Sequence, residues 1–196
     1  MYTDLCSITR YWSGTWCQQA TVSRTVDRVV NSIVAQSNEW IKFPTTNHEL
    51  MEAKRISRSM YKFPTAIGVI DCTHIGILKP NRHGYEYINR KEKRSLNVQC
   101  TCDVREMFTS VDVSWPGSVH DSRIWRNSQT RSQLINKANV ALLGDDGYGI
   151  GPCLMTPFRN PTPGAEINYT TAYWSKTTAQ PHPAQPETVP LSAQNC

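Results

Sequence analysis

The 196 residues are 39% hydrophobic and 19% charged, with a net charge of +5 and a pI near 8.9. That is enough chain to bury the core of one ordinary domain, and the mildly basic balance is compatible with a polyanionic partner. No stretch approaches the roughly 20 apolar residues of a membrane-spanning helix, and MYTDLCSITRYWSGTW has no basic region leading into an apolar one. The expectation is a soluble, intracellular protein without a secretory signal.

Seven irregularly spaced cysteines without a CxxC pair argue against a zinc ribbon or a thioredoxin-like motif. They read as buried free thiols in a reducing compartment.

Residues 1–63 read as a helical N-terminal segment. Val22, Val26, Val29, Val30 and Ile33 recur at helical spacing and form one stripe. A second helix opens at Asn47-His48-Glu49-Leu50, with Thr46 or Asn47 as its N-cap and Glu49 adding acid to its first turn. Phe43-Pro44 and Phe63-Pro64 punctuate the two, because a residue before proline is pushed out of the helical region.

Residues 64–170 read as a core of different character. Ala66–Asp71 is a short apolar run ending in a lone acid. Leu96–Cys102 alternates like a half-buried strand, and Phe108–Val113 is its expected hairpin partner, with Asp103-Val104-Arg105-Glu106 as the turn. A helical segment from about Ser122 to Ile135 follows, and Val140–Asp145 is another apolar strand ending in an acid. Between the first two strands, Arg90, Lys91, Lys93 and Arg94 form a basic cluster broken only by Glu92. Such a run is a solvated loop, or a phosphate-contacting one if catalytic acids lie near. Residues 171–196 are rich in proline and lose apolar periodicity, so a disordered tail is expected there.

Asp71, Asp121 and Asp145 are far apart in sequence, so a site they share must be assembled by folding. Carboxylates at strand ends and helix starts can converge in a cleft and bind Mg²⁺ or Mn²⁺, hard cations that prefer oxygen ligands. Each acid also has an ordinary structural reading. Asp121, before Ser122-Arg123-Ile124-Trp125, would make a good N-cap, and Asp145-Asp146-Gly147 is a common turn signal. Spacing by itself leaves both readings open.

An ordered series of motifs surrounds these acids. They are Gly68-Val69-Ile70-Asp71-Cys72-Thr73-His74-Ile75, Tyr87-Ile88-Asn89-Arg90-Lys91, Leu96-Asn97-Val98-Gln99, Trp115-Pro116-Gly117-Ser118-Val119-His120-Asp121-Ser122-Arg123-Ile124 and Leu142-Leu143-Gly144-Asp145-Asp146-Gly147-Tyr148. Together they resemble the signature of PIF/Harbinger-type, transposase-derived nucleases, members of the DDE superfamily of endonucleases. The resemblance implies an α/β, RNase H-like core with a mixed sheet and divalent-metal-dependent cleavage of DNA phosphodiester bonds. It implies Asp71 and Asp145 as catalytic metal ligands and adds Asp121, the acid of the His-Asp-Ser-Arg motif, to the catalytic and metal-binding set.

Arg90, Lys91, Arg123 and Arg126 become the candidates for DNA phosphate contacts. The resemblance further implies a nuclear location, with the cytoplasm as a second one, and a Myb-like DNA-binding protein as a partner beside DNA itself. No membrane role is expected. His74 and His120, which flank two of the acids, read as hydrogen-bonded structural histidines.

The chain departs from that pattern twice. Beyond Ala165-Glu166-Ile167-Asn168-Tyr169 the family continues into a helix with a Glu-Arg-x-Phe-Gly-like motif whose glutamate completes the catalytic set. Here Thr170–Lys176 leads into the proline-rich tail, and neither Glu166 nor Glu187 inherits that role. The expectation is a core truncated at its C-terminal side and a poor or inactive nuclease. The alternative is a non-catalytic, domesticated DNA- or protein-binding module that retains the fold. At the other end, Gln19–Val26 resembles the second helix of a helix-turn-helix, while Met1–Cys17 offers no convincing first helix. Packing of the valine stripe onto the core is expected instead. A Gly-rich phosphate loop, GxSxG and HExxH are all absent.

Overall fold

A computed structural model of the chain describes residues 19–158 and 160–164. Met1–Cys17, Glu166, Glu187 and the expected disordered tail lie outside the described residues. The chain forms two compact units, Met1–Thr156 and Pro157–Cys196. The described part of the second unit carries no helix or strand.

The described part of the first unit begins with α1 (Gln19–Trp40) and α2 (Asn47–Tyr61). Thr46 is the N-cap of α2. Its hydroxyl accepts from the Glu49 N–H at 3.2 Å, while the Glu49 carboxylate accepts from the Thr46 N–H at 2.9 Å and the Thr45 N–H at 3.0 Å. This reciprocal pair satisfies donors that a helix start leaves unpaired, and those hydrogen bonds hold the exposed Glu49 carboxyl below its ordinary pKa. Lys62 ends α2 in the left-handed region, at φ 63°.

Five strands follow, β1 (Ala66–Gly76), β2 (Ser95–Cys102), β3 (Phe108–Pro116), β4 (Ala141–Gly144) and β5 (Leu154–Met155), with α3 (Asp121–Asn127) and α4 (Gln129–Leu134) between β3 and β4. They form one sheet in the order β3-β2-β1-β4-β5. The β1–β2 and β2–β3 pairs are antiparallel, whereas β4 lies parallel to β1 and β5 parallel to β4. A mixed sheet with this order is the expected α/β, RNase H-like arrangement. Leu50, Ile67, Ile70, Trp125, Leu134, Val140, Leu142, Tyr148, Cys153 and Leu154 make the buried core, so α2 and the α3–α4 pair both contribute to it.

Several expectations change. The first strand does not end at Asp71 but continues to Gly76, because β2 keeps pairing with it as far as Gly76↔Ser95 after β4 has stopped. The helix expected over 122–135 is two helices. Ser128 breaks it by donating its hydroxyl to the Trp125 carbonyl at 2.9 Å and accepting from the Arg131 N–H at 3.1 Å, local bonds that compete with the helical ladder. His120, not Asp121, is the N-cap of α3, its Nδ1 accepting from the Ser122 N–H at 3.3 Å. The valine stripe of α1 does not pack onto the core. α2 takes the place against β1, and Val22, Val26, Val29, Val30 and Ile33 are 37–53% exposed. Cys72, Cys100, Cys102 and Cys153 are free thiols, but only Cys153 is fully buried.

β2 turns polar side chains to the covered face of the sheet. Cross-strand neighbours share a face, so Ile70, Cys72 and His74 align with Thr101, Gln99 and Asn97, while Val69, Asp71 and Ile75 align with Cys102, Cys100 and Leu96. The first set is largely covered, including the buried polar Asn97, Gln99 and Thr101. The second is the more open set, with Val69, Asp71 and Ile75 exposed.

Candidate active site

β1 and β4 run parallel with Ile70 opposite Gly144. Asp71 and Asp145 are the residues that follow this pair, so the register brings them to neighbouring positions of the chain. Gly147 closes the turn after Asp145, its N–H donating to Asp145 Oδ1 at 3.1 Å. The turn expected of Asp145-Asp146-Gly147 is therefore present. Partial burial, and then the negative charge of Asp71, push the Asp145 carboxyl above its ordinary pKa; Asp121 adds to the effect.

Asp121 reaches the same place from the other side. Asn97, buried on β2, donates its Nδ2 to Asp121 Oδ1 and to the Val119 carbonyl, both at 2.8 Å. A Cβ placed on Gly147 would lie 3.1 Å from Asp145 Oδ1 and 3.6 Å from Asp121 Oδ2, so the two carboxylates flank this glycine. Asp71, by contrast, stands on the open face of β1, opposite the face that carries Asn97. Asp145 thus feels the charge of both other acids. Among the described residues, no group of three or more His, Cys, Asp or Glu side chains is spaced to hold a metal ion as it stands.

Beneath the acids, the Tyr148 hydroxyl donates to Cys72 Sγ at 3.0 Å. Burial first, and the nearby acids in addition, drive both groups far above their ordinary pKa values. Cys72 is therefore a protonated packing group rather than a nucleophile. His74 shares a hydrogen bond with Ser95 at 3.0 Å. Arg90 and Lys91 lie in the exposed loop after Asn89, whose Oδ1 accepts from the Lys91 and Lys93 N–H groups at 2.9 and 3.1 Å. Arg123 and Arg126 are exposed on α3, in the helix that begins at Asp121.

Asn97 was not foreseen as a site residue from sequence. Its signal was an amide inside a strand, where asparagine is disfavoured. Buried Asn97 Oδ1 and Gln99 Oε1 have no hydrogen-bond partner. Asp145 and Asp121, which flank Gly147, and Asp71, whose charge acts on Asp145, are oxygen donors of the kind a hard cation prefers.

The raised Asp145 carboxyl carries a stability consequence. A group whose folded pKa is raised adds stability only below its unfolded value, about 3.9 for aspartate, and loses it as pH rises through the folded value. Asp145→Asn is therefore expected to raise Tm at pH 7, by about 1–3 °C for a weak like-charge cluster. The gain should vanish below about pH 4. Calorimetry at the two pH values checks this, and an equal change at both would dismiss carboxylate repulsion as its origin.

The family model described as "DDE superfamily endonuclease" matches residues 70–188. The chain is 34% identical over 175 residues to "Putative nuclease HARBI1" of Bos taurus and 33% identical to the Homo sapiens protein of that name, covering 88% of this chain and 50% of each relative. "Protein ALP1-like" of Arabidopsis thaliana is 26% identical over 170 residues, 76% of this chain and 41% of that protein. The chain spans about half the length of the curated relatives it matches. No solved structure matches it. Family match, relatives and strand order agree, and the chain belongs to the DDE superfamily endonucleases, as its resemblance to the PIF/Harbinger-type, transposase-derived nucleases implied.

Proposed function

We propose that this chain carries the core of a divalent-metal-dependent DNA endonuclease, with Asp71 and Asp145 as its principal ligand pair and Asp121 supporting them. The observation that carries the reading is the parallel register of Ile70 and Gly144, which brings the two acids to neighbouring positions, with Asp145 held at a raised pKa beside Asp71. Mutual repulsion between carboxylates is relieved by a cation, so Mg²⁺ or Mn²⁺ would be held by Asp71 and Asp145. When bound, such a cation activates water and stabilises the leaving oxygen of a phosphodiester.

The chain's own contribution is to hold the acids, through the sheet register and through Asn97, and to offer Arg90, Lys91, Arg123 and Arg126 to the phosphate backbone. Those contacts would position DNA without reading its sequence. A nuclear location and a Myb-like partner that directs target choice belong to the same proposal.

A second reading, a non-catalytic binding module that keeps the fold, is favoured by one observation: no three-ligand group stands ready among the described residues. Metal titration separates the two. Mn²⁺ or Mg²⁺ is expected to raise Tm of the chain, since a ligand at a hundred times its Kd stabilises by about 2.7 kcal/mol. Asp71→Asn and Asp145→Asn should abolish the response, and Asp71→Ala should abolish any metal-dependent nicking of supercoiled plasmid. A chain whose Tm ignores both ions, and which nicks nothing, is the non-catalytic module.

A further inference from the structure

We propose that α1 is a self-association helix, in which the valine stripe of one chain packs against the same stripe of a second copy. This inference stands apart from the nuclease reading and does not depend on it.

Across residues 20–40 of α1, every side chain is exposed except the half-buried Ser37. Its 22 residues span about 33 Å, yet their composition cannot keep such a helix in water unaided. Six of them, Val22, Val26, Val29, Val30, Ile33 and Val34, are apolar β-branched residues that lower helix propensity. There is no acid in the first turn and no base in the last. Thr25 and Ser32 turn their hydroxyls back on the carbonyls of Thr21 and Arg28, bonds that weaken a helix slightly. Helices of this kind are held by packing of their apolar face.

The pattern of the stripe selects the occupant. Val22, Val26, Val29, Ile33 and Trp40 follow alternating steps of four and three, with the polar Gln36 filling the one remaining position. That is the repeat of helices that pair with helices, and it runs along most of a helix about 33 Å long. The flanking positions are Ser23, Thr25, Val30, Ser32, Ser37 and Glu39. Mostly small and with one charge among them, they let helices approach closely, and Glu39 is the only group able to repel an identical neighbour. Arg24, Asp27 and Arg28 lie outside the seam, so a strongly charged partner finds no matching charge along it. A second copy fits the seam's neutral rim better.

Sedimentation of the full chain over a wide concentration range tests this. The wild-type chain should self-associate reversibly, and the double substitution Val29→Glu/Ile33→Glu should weaken association by at least about a hundredfold, since each copy would bury unpaired charge. Asn31→Glu, on the opposite side of α1, should leave association unchanged. Because α1 places no side chain in the core, all three proteins should keep the same Tm in the monomeric range, while the wild-type and Asn31→Glu chains gain helical circular dichroism as they associate. A wild-type chain that stays monomeric throughout, its stripe covered by its own residues 1–18, overturns the proposal. So does association that survives the double substitution, or that Asn31→Glu disrupts equally.

Discussion

Asn97→Asp is expected to destabilise the fold by about 3–5 kcal/mol at pH 7, the cost of leaving a buried charge without a partner. Asn97 is 1% exposed, and its Nδ2 donates to both the Val119 carbonyl and Asp121 Oδ1 at 2.8 Å. Aspartate would replace that donor with an anionic acceptor, facing one carbonyl and one carboxylate. Its pKa would be pushed above about 3.9 by burial and by Asp121. A raised folded pKa means the deficit is full at neutral pH and shrinks as pH falls toward the unfolded value. Asn97→Ala removes the donor without adding charge, so its cost should be about 1–3 kcal/mol and nearly independent of pH. Urea unfolding of both variants at pH 7 and pH 4.5 makes the comparison. Equal stabilities at pH 7 would mean that Asn97 does not hold Asp121 as described.

Gly117→Ala should cost about 3 kcal/mol, at the upper end for overpacking, because the new methyl meets backbone rather than a yielding side chain. A Cβ at Gly117 would lie 2.6 Å from the Ser95 carbonyl oxygen and 2.7 Å from that of Tyr87, and closer still to the Ser95 hydroxyl. The loop is also tied there by the Gly117 N–H, which donates to the Ser95 carbonyl at 2.8 Å. Displacing Gly117 moves the segment that leads to His120 and Asp121, so the variant should also lose part of any metal-induced rise in Tm. Gly76→Ala is the control: nothing lies within 4 Å of its Cβ position, and a change within about 0.5 kcal/mol is expected. Two variants of similar stability would show that the Ser95–Gly117 contact is not close in solution.

Local signals made much of this protein legible. The Thr46–Glu49 pair announced a helix start, and alternation over Leu96–Cys102 announced a strand. Asp103 serves the turn before β3 as expected, its Oδ1 accepting from the Arg105 and Met107 N–H groups at 2.8 and 3.0 Å. The same alternation misled about burial. Asn97, Gln99 and Thr101 look like the wet side of a strand, yet their face is largely covered, while Val69 and Ile75 on the other side stay exposed. Alternation tells that two faces differ, not which one another element will cover. The valine stripe carries the same lesson, since a helical moment names an apolar face but not its neighbour.

The sequence by itself determined most of the elements, the family and the acids worth watching, because caps, turns and periodicity act over a few residues. Only the tertiary structure decided that Asp71 lies within β1 rather than at its end, and that Asp145 and Asp121 flank Gly147. It also decided that Asn97 holds Asp121 from a buried strand. These depend on strand register and helix placement, which are set by pairings between residues far apart in the chain and leave no mark at any one of them.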